Sequence, residues 1–283
     1  MMKSRYSWIP FSAAILFLVP FGIYIGLSSA RNIVPTFAGT DSLPISLIVM
    51  LSCLVCTLVF SHLSQDAMAG VIIDKNLFLS AASVLCGLAV FWGGVMHFSV
   101  SMPDHVPSFL RVLNAVLGMA NGLVFVIFGF FVFLGSNFFE DFPILAIIPP
   151  IWSFTRLYER NVILKDDTGM SIEIYDILCL AMLVFFFIYQ SKMLVGAGIG
   201  RSRIKESSIV FGMAGFLCNA FFLCNKVSKK VGENSLKGED LPSIFVDLSV
   251  LIYVFAFLFY ISFFGRDRMK EEEIEESIEG DDA

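Results

Sequence analysis

Apolar stretches of about the length that crosses a bilayer recur along this chain. A spanning helix needs about 20 mostly apolar residues, because roughly 30 Å of hydrocarbon is crossed at about 1.5 Å per residue. Eight stretches approach this: residues 8 to 27, 43 to 63, 76 to 98, 114 to 135, 142 to 158, 172 to 191, 208 to 225 and 242 to 264. The stretches are separated by short loops, none large enough for a soluble domain. The expected fold is an all-α polytopic transmembrane helix bundle over residues 1–265, followed by a tail over 266–283.

Composition excludes the alternative of a large soluble core. Of 283 residues 57% are hydrophobic and 16% charged, against roughly 45–50% and about 25% in soluble domains. Such a chain cannot cover an outer surface with polar groups, and lipid is the solvent that tolerates an apolar exterior.

The fifth stretch, Phe142 to Tyr158, is short and has Pro149 and Pro150 near its middle. Two missing backbone donors there predict a kink or break. Eight crossings follow if it spans, seven if it is re-entrant. The excess of Lys and Arg that marks cytoplasmic loops does not decide, dividing ten to nine either way. Lys3 and Arg5 before the first span, with Arg266, Arg268 and Lys270 after the last, point to cytoplasmic N- and C-termini and an even count. The first stretch also resembles a secretion signal, but its length and its prolines Pro10 and Pro20 favour an uncleaved span.

The net charge of −6 belongs to the tail, which carries three positive and nine negative residues. Its basic start suits anionic headgroups. Its acidic run, with Ile274 and Ile278 four apart, reads as a solvated, largely disordered end or as a short helix offered to a membrane or cytosolic protein partner. No basic run is dense enough for nucleic acid.

Ionisable residues inside spans are candidate functional sites, since each costs about 2.5–3.5 kcal/mol on insertion scales. Asp176 and Asp247 lie a turn or so into the sixth and eighth stretches. Carboxylates near helix N-termini, favoured by the macrodipole and wetted from the surface, are the simplest reading. The sharper one sets both against one polar cavity that binds a cation or proton. Trp152, Arg156 and Arg160 share a helix face, as an interfacial anchor with Tyr158 or as an anion or headgroup site beside a broken helix.

Asn121 and Asn219 lie deeper and are expected to bond to neighbouring helices. Gly118 and Gly122 around Asn121, and Gly22 with Gly26, give small-residue faces for close packing within the chain or between copies.

Other motifs carry little. His62, His97 and His105 sit near span ends and read as wet boundary residues. The six Cys lie in apolar stretches, and Cys53 with Cys56 forms a C-x-x-C without a second thiol pair in a loop. Gly196, Gly198 and Gly200 lack the strand and helix of a dinucleotide loop. No metalloprotease, P-loop or nucleophile-elbow motif occurs, so no enzyme activity, metal or cofactor is expected.

From Ile148 to Gly196 runs Pro-Pro-Ile-Trp-Ser-Phe-Thr-Arg-Leu-Tyr, a polar loop, Tyr-Asp-Ile-Leu, and a Phe-rich span ending Gln190-Ser-Lys192. The pattern resembles multi-pass membrane proteins of Gram-positive anaerobic bacteria. The resemblance implies a bacterial cytoplasmic membrane and no particular activity. The leading expectation for function is a non-enzymatic membrane component acting through protein association; the other is a small-solute or ion transporter using Asp176, Asp247 and Arg156.

Overall fold

The structure is a computed structural model that describes residues 8–33, 36–37, 40–63, 71–98, 107–164, 173–196, 204–235 and 241–267. The tail beyond Asp267, with Arg268, Lys270, Ile274 and Ile278, lies outside these residues, as do Lys3, Arg5, His105, Gly198 and Gly200.

The architecture is an all-α bundle: α1 Trp8–Ala30, α2 Ser42–Leu63, α3 Leu77–His97, α4 Ser108–Leu134, the single turn α5 Phe138–Asp141, α6 Ile148–Leu164, α7 Glu173–Val195, α8 Ile204–Gly232 and α9 Leu241–Phe263. Two small antiparallel pairs accompany it, β1 Thr36–Phe37 with β2 Thr40–Asp41 and β3 Val71–Ile72 with β4 Arg266–Asp267. Helix ends follow local chemistry. The Asn76 side chain accepts from Leu79 N at 2.9 Å to cap α3. Gly135, at φ +82°, ends α4 by letting Ser136 N reach back to Phe131 O at 3.0 Å.

Six helices among the described residues are long and apolar enough to cross a membrane: α1, α3, α4, α7, α8 and α9. α2 and α6, the other two of the eight expected spans, are not among them. α2 is apolar over Pro44–Val59, the stretch of it whose side chains are described, and α6 carries Arg156, Glu159 and Arg160 within 17 residues.

The fifth stretch is also built differently from the expectation. Its break falls at a 3-10 turn over Pro143–Ile147, and Pro149 and Pro150 occupy the first turn of α6 instead of interrupting it. The first four N–H groups of a helix have no acceptor within it, so proline is harmless there.

Close contacts fix helix directions. α1 and α8 run parallel, with Gly22 against Phe221 and Gly26 against Asn225; a methyl group on Gly26 would lie 2.5 Å from Asn225 O. The Gly22–Gly26 face is therefore used inside the chain. α3 and α4 run antiparallel, Gly87 meeting Gly122 and Gly94 meeting Ala115. At these close approaches Ser80 Oγ and Ser83 Oγ donate across to the Gly129 and Phe125 carbonyls at 2.7 and 3.2 Å.

The bundle has two unlike ends. At one, the Trp8 ring of α1 meets Phe255, Phe259 and Phe263 of α9, with centroids 5.6–6.1 Å apart. There Tyr260 Oη donates to Ile72 O at 3.1 Å and accepts from Asp74 N at 2.8 Å, beside the β3–β4 pair. The other end, where α3 finishes and α7 and α9 begin, holds a set of ion pairs.

Candidate functional site

α6 is amphipathic with its faces reversed relative to a helix on a soluble core. Ile151, Phe154 and Tyr158 point outward, whereas Trp152, Thr155 and Glu159 are buried among neighbouring helices. That arrangement suits a lipid exterior and a polar interior.

The inward face makes three sets of bonds. Arg156 Nη2 meets Asp247 Oδ1 of α9 at 2.9 Å, with its guanidinium 5.1 Å from the centre of the Trp152 ring. Arg160 Nε meets Asp176 Oδ2 of α7 at 2.5 Å. Glu159, 6% exposed, accepts from Asn114 Nδ2 of α4 and lies 2.9 Å from His97 Nε2 of α3. Thr155 Oγ1 donates to Asn114 Oδ1 at 3.0 Å, which orients the amide so that its Nδ2 faces the carboxylate. From α8, Lys226 Nζ approaches Asp247 Oδ2 at 3.9 Å and bonds to Ser243 Oγ at 3.0 Å.

Side chains from α3, α4, α7, α8 and α9 thus converge on one face of α6, in three bonded sets that together form its polar network. It holds two arginines, Arg156 and Arg160, with Lys226 and His97, and three carboxylates, Glu159, Asp176 and Asp247. The carboxylates of Asp176 and Asp247 are 14% and 13% exposed, and Arg160 remains 33% exposed. Arg160 is thus the most open of these groups, and the carboxylates sit deeper. Removing one partner of such a pair leaves an uncompensated buried charge, a loss of about 3–5 kcal/mol.

The three ionisable candidates from the sequence, Arg156, Asp176 and Asp247, are brought into this network. The two carboxylates are not simply solvated helix starts, since each has an arginine. Trp152 is 4% exposed and supports Arg156 from inside, so it is not a headgroup anchor. His97 pairs with Glu159 and is more than a wet boundary residue. Glu159, Asn114, Thr155 and Lys226 were not singled out by the sequence. Their available signal was periodicity: Thr155, Arg156, Glu159 and Arg160 recur at three and four on one helix, and Asn114 lies seven before Asn121.

The packing candidates divide. Asn219 Nδ2 donates to the Asp247 carbonyl at 3.0 Å, joining α8 to α9. Gly118 and Gly122 admit α3 and α6, with Gly122 against Phe91 and Gly87, and Gly118 against Gly94 and the Trp152 indole. Asn121 does not bond to a neighbouring helix as expected. It is fully buried, and neither its Nδ2 nor its Oδ1 has a hydrogen-bond partner among the described residues.

Cys53 is buried, donating to Pro10 O at 3.4 Å, while Cys56 is exposed, so the C-x-x-C thiols face different surroundings. Among the described residues no group of three or more His, Cys, Asp or Glu is arranged to hold a metal ion. No family model, no curated protein and no solved structure matches the chain.

Proposed function

We propose that this chain is a transporter of a small charged solute or ion in a bacterial cytoplasmic membrane, with the α6 network as its site. The observation that carries the reading is the convergence of ionisable side chains from five helices, α3, α6, α7, α8 and α9, near one end of the bundle. Ionisable groups at membrane depth are expensive, and one that serves only packing has cheaper apolar substitutes. Opening the Arg156–Asp247 and Arg160–Asp176 pairs would expose both signs of charge to a solute entering from that end. No catalytic step is assigned to the chain. Association through the acidic tail, the other reading of the sequence, depends on residues outside those described.

Under this proposal α2 and α6 also cross the membrane, giving eight passes with both termini cytoplasmic and the charged network facing outward. Two observations support the count. α6 presents apolar residues to lipid and polar ones to the bundle, and the start of α1 touches the end of α9. Single cysteines at Ser136, before α6, and at Thr168, after it, would then label from opposite sides of the membrane. Labelling from the same side removes α6 as a crossing.

The transport reading is tested on Cys179, which lies one turn below Asp176 and donates to Gly215 O at 3.6 Å. In a variant that keeps Cys179 as its sole cysteine, a membrane-impermeant thiol reagent should react slowly, because the network must open first. Adding Asp247→Asn should accelerate the reaction about tenfold or more, the equivalent of roughly 1.4 kcal/mol in the opening equilibrium. A thiol inert in both proteins would mark the network as a static brace and overturn the reading.

A further inference from the structure

The α4 face that holds Glu159 through Asn114 continues inward. Asn114, Gly118, Asn121 and Phe125 recur at intervals of four, three and four and are all buried. Asn121 is therefore nearly in line with Asn114, about 10 Å farther along the helix axis. Its neighbours show what it faces. A methyl group on Gly118 would lie 3.4 Å from Trp152 Nε1 of α6, and the Phe125 ring packs on Tyr253 of α9 at 4.6 Å and on Phe187 of α7 at 6.0 Å.

Two amides in this region carry unused hydrogen-bonding capacity. Asn121 is fully buried with both polar atoms unpartnered among the described residues. Gln190 of α7 donates its Nε2 to the Tyr253 hydroxyl, while its Oε1 is buried without a partner among the described residues. Buried amides are normally satisfied, and each exception calls for a reason. Beneath the charged network there is thus a free donor, two free acceptors, and aromatic walls from Trp152, Tyr253 and Phe125.

From this juxtaposition we infer that the site takes a small zwitterion, of which a free α-amino acid is the simplest chemical class. The inference rests on the transport reading and specifies its substrate. Arg156 and Asp247 balance each other in the closed pair. A lone anion or cation entering it would leave one buried charge uncompensated, whereas a zwitterion preserves the balance. Its carboxylate replaces Asp247 on Arg156, and its ammonium replaces Arg156 on Asp247. Deeper in, Asn121 Nδ2 donates to the same carboxylate, and Asn121 Oδ1 or Gln190 Oε1 accepts from the ammonium. The aromatic walls suit an apolar side chain.

The experiment uses the full chain in detergent, with its melting followed by tryptophan fluorescence. The probes are L-alanine, L-leucine and L-phenylalanine at millimolar concentration. Each is compared with its amide, which keeps only the cation, and its N-acetyl derivative, which keeps only the anion. At least one free amino acid should raise the melting temperature by about 2 °C or more, with both derivatives inactive. No shift from any amino acid, or an equal shift from a derivative, overturns the assignment.

Asn121→Leu should melt higher than the parent when unliganded, because it removes an unsatisfied amide, and should lose the amino-acid shift. A retained shift would exclude Asn121 from the site. Should the leucine variant not fold, Asn121→Ser keeps a hydroxyl and is expected to halve the shift or more; an unchanged shift would count against the proposal. Cys179 labelling needs no ligand and separates the two readings. An opening network without amino-acid protection removes the zwitterion alone, whereas an inert Cys179 removes transport as well.

Discussion

The two ends of the bundle are held by different forces. At the aromatic end Trp8, Phe255, Phe259 and Phe263 touch ring to ring, and Tyr260 ties the α9 terminus to the segment before α3. At the charged end Arg156, Arg160 and Glu159 of one helix bind α9, α7, α4 and α3. Aromatic contacts are many, individually small and tolerant of sliding. Partly buried ion pairs are few, strong only at one geometry, and unfavourable when half broken. An end built the second way has two well-separated states, joined and released, while an end built the first way stays shut by degrees. Under the proposed transport, the contrast would put the opening at the charged end and the hinge at the aromatic one.

The largest effect should come from breaking the charged end on one side only. Asp247→Ala strands Arg156 and removes the only carboxylate within 4 Å of Lys226 among the described residues, an expected loss of about 3–5 kcal/mol. The neutral pair Arg156→Met with Asp247→Leu should recover most of that loss. Thermal melting of the single and double variants in detergent checks both. A double variant as unstable as the single would mean that packing, not charge, holds this end.

Much of this contrast was legible in the sequence. Hydropathy gave the helices and the all-α bundle, and the rarity of charge within spans selected Arg156, Asp176 and Asp247. Hydropathy reports how deep a residue lies but not which way it points. It could not pair Arg156 with Asp247, 91 residues later, nor reveal that Glu159, just beyond the fifth apolar stretch, is buried. It also placed α2 and α6 alongside the six long apolar helices, because a window averages over polar residues such as Arg156, Glu159 and Arg160 without asking which face they share. The prolines misled for a related reason: their effect depends on position within the helix, and that start was set by the 3-10 turn before Ile148. The sequence predicts that Asn121 bonds to a neighbouring helix because buried amides usually find partners; its lack of one among the described residues is visible only with the neighbours in place.

At the aromatic end a comparable truncation should matter less. Trp8→Ala removes ring contacts with Phe11, Phe255, Phe259 and Phe263. In water such a loss would be about 3–5 kcal/mol. In a bilayer the vacated space is refilled by lipid tails as apolar as the ring, so only packing is lost and about 1–2 kcal/mol is expected. The same melting assay measures it. A loss as large as that of Asp247→Ala would erase the distinction between the ends.

The smallest effect should be that of Tyr260→Phe. The hydroxyl donates to Ile72 O and accepts from Asp74 N, so its removal deletes two hydrogen bonds while the buried ring stays in place. A net hydrogen bond contributes about 0.5–1.5 kcal/mol. Because water reaches freed backbone groups near the bundle end, a total of about 1 kcal/mol is expected. Amide hydrogen exchange should localise it, with faster exchange at Ile72 and Asp74 and unchanged exchange in α6. Faster exchange in α6 as well would mean that the two ends move together, and the aromatic end could then no longer serve as the fixed hinge for opening at Arg156 and Asp247.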